Sequence, residues 1–337
     1  MIVSCCLLVD MNYFHNYLYI FFLSLKFSLV ICLEPDPRYE LASTLVGTKF
    51  YFFGGVKQIA QNLSTNEAWY LDLSSSFSTT KPPWSKSANM PVAYYFGSSC
   101  ISPIDYTNVY LVGGRTSPES VLPVYVFNSN ISQWTSSNIR PTGNSSLAAR
   151  SSETQAVIND KGKIFIFGGI NSRGTLYNDM NIFDTTSMTL SKPSQSQSVS
   201  YYADYAAVLL QNGTIIYIGG RQSVTSLTNM NQLLTYDTNS NSWSTQKVGG
   251  DFIGSRLGHS AVLTSDNRII IYGGSSSSTR LIAANPSLAI LDISTLMWYI
   301  PNIPKTYAPP PLMYHCAALY NDYMFIAFGK NFITIVQ

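Results

Sequence analysis

Ionic side chains are scarce in this chain. Asp, Glu, Lys and Arg together make up 11% of its 337 residues, less than half the roughly 25% of an ordinary soluble domain. Tyr, Ser, Thr and Asn carry the polar surface instead, so that surface is suited to hydrogen bonding rather than ion pairing. The 20 Lys and Arg nearly balance the 18 Asp and Glu. No basic run occurs, which removes the footprint expected of a nucleic-acid binder. Histidine is scarcer still, at three residues. The motifs HExxH, Cys-x-x-Cys and Gly-x-Ser-x-Gly are missing, as is a glycine-rich phosphate loop. General acid and base chemistry has few candidates in such a chain. No catalytic residue, metal ligand or cofactor is assigned, and the chain reads as a binding module rather than an enzyme.

One long apolar run is present, YLYIFFLSLKFSLVICL at 17–33, followed by EPDP at 34–37. It has neither strand alternation nor a helical face and matches no other part of the chain, so residues 1–33 are expected to be a signal peptide or short membrane anchor. The stretch before it carries Asp10 and no Lys or Arg, contrary to the usual positive start; initiation at Met11 would remove Asp10. An exported protein would present its sequons, at Asn62, Asn130, Asn144 and Asn212, to the glycosylation machinery.

The body, 34–337, is repetitive. Five apolar runs end in paired glycines: FYFFGG, VYLVGG, IFIFGG, IIYIGG and IIIYGG. The doublets are Gly54-Gly55, Gly113-Gly114, Gly168-Gly169, Gly219-Gly220 and Gly273-Gly274, whose starts lie 59, 55, 51 and 54 residues apart. A degenerate sixth copy, MFIAFGK, covers 324–330. One supersecondary unit of about fifty residues thus recurs through the body. Each unit predicts a strand, a tight polar turn, a second strand ending at the doublet, then a third and a short fourth strand. The third strands carry Asp72, Asn128, Asp184, Asp237 and Asp292; Trp134, Leu190, Trp243 and Trp298 follow the last four by six residues, and Trp84 follows the first by twelve. An Asp or Asn before a hairpin turn bonds its own backbone, and the bulky residue anchors the outer strand. Cys5, Cys6 and Cys32 precede the repeats. Cys100 and Cys316 lie on first strands of the second and sixth units, which are not neighbours in a ring, so a bridge is not expected.

Apolar strand, double glycine, spaced aromatics and Trp together resemble the kelch repeat. So do the first strands RSSETQAVI (150–158) and SRLGHSAVL (255–263). The resemblance implies an all-β kelch-type β-propeller of about six four-stranded blades, the last incomplete because only NFITIVQ (331–337) follows Lys330. Propellers recognise partners through loops at one end of the central channel. Arg115, Arg173, Arg221 and Arg280 fall just after doublets and are the candidate binding residues, able to engage carboxylates bidentately. Tyr314-His315 also resembles the adjacent Tyr-His copper ligands of the related galactose oxidase. His259 lies 56 residues earlier, however, and a repeat period accounts for both histidines without a metal. The leading expectation is a non-enzymatic, secreted or cell-surface module binding a protein or glycan, with membrane contact only through the N-terminal run. The alternatives are a cytoplasmic kelch scaffold and a relic of a copper radical oxidase.

Overall fold

The computed structural model describes residues 34–332 except 59–62, 118–123, 137–138, 143–154, 195–198 and 305–307. The apolar N-terminal run, Asn62, Asn144 and residues 333–337 lie outside the described residues. All regular structure among the described residues is β.

Each of the first five repeats folds into an antiparallel sheet of four consecutive strands. Blade one is Ala42–Val46, Lys49–Phe53, Ala68–Asp72 and Trp84–Lys86. Blade two is Ala93–Ile101, Asn108–Ser117, Val124–Asn128 and Gln133–Ser136. Blade four is Ala206–Leu209, Thr214–Ile218, Gln232–Asp237 and Ser242–Lys247. Blade three (Val157–Ile158, Lys163–Phe167, Met180–Asp184, Thr189–Ser191) and blade five (Ser260–Leu263, Arg268–Tyr272, Leu288–Asp292, Met297–Tyr299) each gain a fifth, parallel strand on the outside, Arg140–Pro141 and Gly249–Gly250 respectively. The second strands are buried on both faces between neighbouring sheets: Phe50, Phe52 and Phe53 in blade one, and Ile164, Ile166 and Phe167 in blade three, are all sealed from solvent. Continuous apolar runs are what such a position requires.

The polar residue ending each third strand closes the outer turn. Asp184 Oδ1 accepts the backbone N–H groups of Thr186 and Ser187 at 2.9 and 3.0 Å, and Asp237, Asp292 and Asn128 do the same two and three residues ahead. The indoles link blades: Trp134 Nε1 donates to Ala88 O at 2.9 Å and Trp298 Nε1 to Met230 O at 3.0 Å.

Four of the five glycine doublets act as inter-blade clamps among the described residues. The second glycine donates its N–H to a carbonyl of the next unit: Gly55 to Tyr94, Gly169 to Tyr202, Gly220 to Arg256 and Gly274 to Leu312, at 2.7 to 2.8 Å. The first glycine makes room for that same carbonyl. A Cβ on Gly54 would lie 1.9 Å from Tyr94 O, and one on Gly273 2.2 Å from Leu312 O.

A second set of bonds runs around the channel. Phe96 N donates to Glu40 O, Gly258 N to Asp204 O, Tyr314 N to Gly258 O and Glu40 N to Tyr314 O, at 2.8 to 3.1 Å. The last of these joins the sixth repeat to the first. Gly329 N also donates to Arg38 O at 2.9 Å, repeating the clamp at the closing junction. Here Phe328 takes the first glycine's place, with φ 61°, and its ring packs 5.1 Å from Phe52 and 5.2 Å from Trp84.

Against the expected six or so four-stranded blades with the last incomplete, the described residues form five complete blades, and those of the sixth repeat form a two-stranded hairpin, Cys316–Tyr320 with Tyr323–Ala327. Beyond the hairpin, Lys330 and Asn331 pair with Met313 and Leu312. With no outer strand among the described residues, the second strand of the hairpin is half-buried where its counterpart in blade three is sealed. Its second strand, YMFIA, carries no charge or proline, unlike the outer strands containing Lys86 and Lys247. Its composition is that of an inner strand rather than a guarded sheet edge. Cys100 and Cys316 are buried free thiols, pushed up to about 12 by that burial.

Candidate functional site

Where the first strands begin, at the end of the ring marked by the doublets, the channel opens into a cavity of about 190 Å³. One residue from each of five units, the third excepted, reaches it in the left-handed conformation: Glu40 (φ 61°), Phe96 (59°), Asp204 (59°), Gly258 (63°) and Tyr314 (52°). Holding a non-glycine residue there costs of order 1 kcal/mol or more, and such strain gathers at ligand sites. The inter-blade bonds described above fix these backbones, so the four side chains are presented by a rigid collar.

Their contacts define the mouth. Tyr314 donates its hydroxyl to Asp204 Oδ1 at 3.1 Å, and Arg221 Nε lies 2.7 Å from Asp204 Oδ2. Phe96 meets Tyr314 edge-on at 6.0 Å, and the Arg115 guanidinium lies over the Phe96 ring at 5.4 Å. Two of the four candidate arginines are therefore brought to the mouth. Arg115 is half-buried, and its Nε has no acceptor among the described residues; Arg221 is held by a buried carboxylate. Arg173 and Arg280 stand exposed on the corresponding loops of blades three and five and do not line the cavity. Sequence reasoning missed Glu40, Phe96 and Asp204, whose only signal is a shared place shortly before each first strand.

His259 and His315 occupy equivalent positions in adjacent units, buried beside the first glycines of the preceding blades: a Cβ on Gly219 would lie 2.6 Å from His259 Cε1, and one on Gly273 3.0 Å from His315 Cε1. Burial lowers the His315 pKa to about 4 and that of His259 well below the ordinary value. Both are neutral at pH 7. His315 Nε2 pairs with Ser260 Oγ at 2.7 Å while Tyr314 bonds Asp204. The Tyr-His pair is thus committed to two different partners, and no group of three His, Cys, Asp or Glu among the described residues could hold a metal. These residues do not fit a copper site.

At the closing junction Arg38 is sealed from solvent. It bonds Glu67 Oε2 at 2.6 Å and the carbonyls of Asp36 and Gly54 at 2.9 and 3.5 Å. Burial alone would raise the Glu67 pKa, but hydrogen bonds from Arg38, Lys57 and Trp69 bring it down to about 2. Arg256 holds the equivalent place in unit five, bonding Gly254 O and Gly273 O at 3.2 and 3.1 Å, with no carboxylate partner among the described residues.

Sheet topology, clamp and collar describe a β-propeller that presents loops at one channel mouth. Residues 97–329 match the KLHDC2/KLHL20/DRC7 Kelch-repeats domain, and the chain belongs to the kelch-repeat family, whose propellers are protein-interaction modules. It is similar to acyl-CoA-binding domain-containing protein 5 of Arabidopsis thaliana, 24% identical over 82% of this chain and 41% of the relative. Acyl-CoA-binding domain-containing protein 4 of the same plant is 26% identical over 79% of this chain and 38% of its own length. Rho GTPase-activating protein gacHH of Dictyostelium discoideum is 31% identical over 33% of this chain and 7% of its own. The chain spans less than half the length of these relatives.

Proposed function

We propose that this chain is a non-enzymatic recognition module, outside the cell or at its surface, that holds a protein or glycan partner against the doublet end of the ring. The observation that carries this reading is the strained collar at that end, with Arg115 lying over Phe96 at its mouth and uncovered apolar side chains on the surrounding loops. Val224 is 58% exposed on the blade-four loop, and Leu281 and Ile282 are 47% exposed on the blade-five loop. Phe252, 80% exposed, follows Asp251, whose carboxylate caps Ile300 N at 2.8 Å and so ties it to the end of the fourth strand. Apolar groups left in water around a polar, strained mouth are the makings of an interface with a desolvated centre. Placement outside the cell is supported by the N-terminal apolar run and by Asn130 and Asn212, both exposed on turns at the opposite end.

The arginines separate recognition from stability. Arg115→Ala is expected to abolish partner capture from a secreted-protein fraction while leaving the urea midpoint unchanged. Arg221→Ala is expected to lower the midpoint as well, because it strips a buried Asp204 of its cation. Unaltered capture by Arg115→Ala would remove the mouth from the binding account. Expression with residues 1–33 intact in a eukaryotic secretory host tests the compartment: a glycosylated product in medium or membrane supports it, and an unglycosylated cytosolic product overturns it.

A further inference from the structure

Between the third and fourth blades, on the rim and away from the channel mouth, the strands leave a cleft of about 460 Å³. Its base is apolar, from Val199, Leu227 and Leu234, with the aromatic edges of Tyr202 and Trp243. Its rim is amide and hydroxyl: Gln222, Asn229, Gln232, Ser200 and Thr245. None of the described residues lining it is charged.

Blade four departs at this cleft from the indole contact made in blades two and five. Trp134 and Trp298 donate to backbone carbonyls at 2.9 and 3.0 Å. Trp243 is 4% exposed, its ring packed 4.4 Å from Phe167 and 4.7 Å from Tyr236, yet its Nε1 has no acceptor among the described residues. A buried donor left unpaired costs about 1–3 kcal/mol and calls for an explanation. The amides of Gln222 and Gln232 stand exposed at the rim, each able both to donate and to accept.

We propose that this cleft is a carbohydrate subsite taking one or two rings of a neutral sugar. The inference rests on reading the chain as a recognition module, but it uses a different surface from the mouth. Sugar hydroxyls both donate and accept, which matches amides, hydroxyls and an indole N–H around an apolar base. An anionic ligand would find no cation here, and a wholly apolar one would bury the amides without partners. The volume lies within the roughly 300–1,000 Å³ of small-ligand sites.

Isothermal titration and ligand-observed NMR on the intact chain, with cellobiose, lactose and N,N′-diacetylchitobiose as probes and a sulfated disaccharide as the anionic control, test this. At least one neutral sugar should saturate and the control should not. Gln232→Leu and Thr245→Val, both at exposed positions, should each weaken binding between about two- and tenfold, the loss of one neutral hydrogen bond. Trp243→Phe should weaken it similarly, and Arg115→Ala should leave it unchanged. Three results would overturn the proposal: no saturation by any neutral sugar, wild-type affinity in both Gln232→Leu and Thr245→Val, or loss of sugar binding in Arg115→Ala. Failure here leaves the partner-capture result for Arg115→Ala standing, so the two readings fail separately.

Discussion

Gly54→Ala will destabilise the chain by roughly 3–4 kcal/mol, while Gly47→Ala will cost only about 1–2 kcal/mol. Both glycines have positive φ, 66° and 58°, so both substitutions incur the cost of a side chain in the left-handed region. They differ in what the new methyl meets. At Gly47 nothing lies within 4 Å, whereas at Gly54 the Tyr94 carbonyl oxygen would be 1.9 Å away. That oxygen also accepts the Gly55 N–H, and backbone cannot swing aside as a side-chain tip can. Relief requires moving blade two away from blade one, which loosens the Tyr51–Phe127 and Phe53–Trp134 contacts at 5.4 Å. Urea midpoints of the two variants measure the difference. Equal losses would mean that the doublet serves only its own turn and is not a clamp between sheets.

Arg38→Met will cost about 3–5 kcal/mol, the usual penalty for breaking a buried ion pair from one side, and will also reshape the acid limb of the stability curve. The Glu67 pKa is lowered in the folded state to about 2. Its contribution to stability is therefore fully present above the unfolded value of about 4.5 and drains away as pH falls toward 2. Lys57, 3.0 Å from Glu67 Oε1, and Trp69 remain to hold part of it. The variant should be destabilised most near pH 7 and converge toward wild type near pH 2. Arg256→Met, which removes a guanidinium with no carboxylate partner, should cost less and leave the acid limb unchanged. A pH-independent loss in Arg38→Met would show that Arg38 acts by packing alone.

Repetition decided what could be read from the sequence. The doublets, the Asp or Asn turns and the bulky anchors recur at a period of about fifty residues, and the turns repeat the same backbone contacts from copy to copy, so the kelch-type propeller was legible from them. The closure was not. Arg38 lies in the short Pro-containing stretch just after the expected leader and before the first repeat, and its carbonyl accepts from the N–H of Gly329, at the far end of the repeats. Counting strand–turn–strand signals gives six, but a blade also needs a third and fourth strand beyond its doublet, and the described residues of the sixth copy form only the hairpin. At the mouth, Arg115 and Arg221 were visible because they follow doublets. Asp204 was not, because it sits in an irregular connector whose left-handed turn depends on the neighbouring blade rather than on its own sequence.

Amide hydrogen exchange at the closing junction tests the central claim most directly. If the ring is closed between the sixth repeat and the first, the N–H groups of Glu40 and Gly329, which bond Tyr314 O and Arg38 O, will exchange as slowly as those of Gly258 and Gly55, which make the same bonds inside the ring. Exchange of Glu40 and Gly329 near the unprotected rate, with Gly258 and Gly55 still protected, would contradict the closed ring and with it the rigid collar on which the recognition site depends.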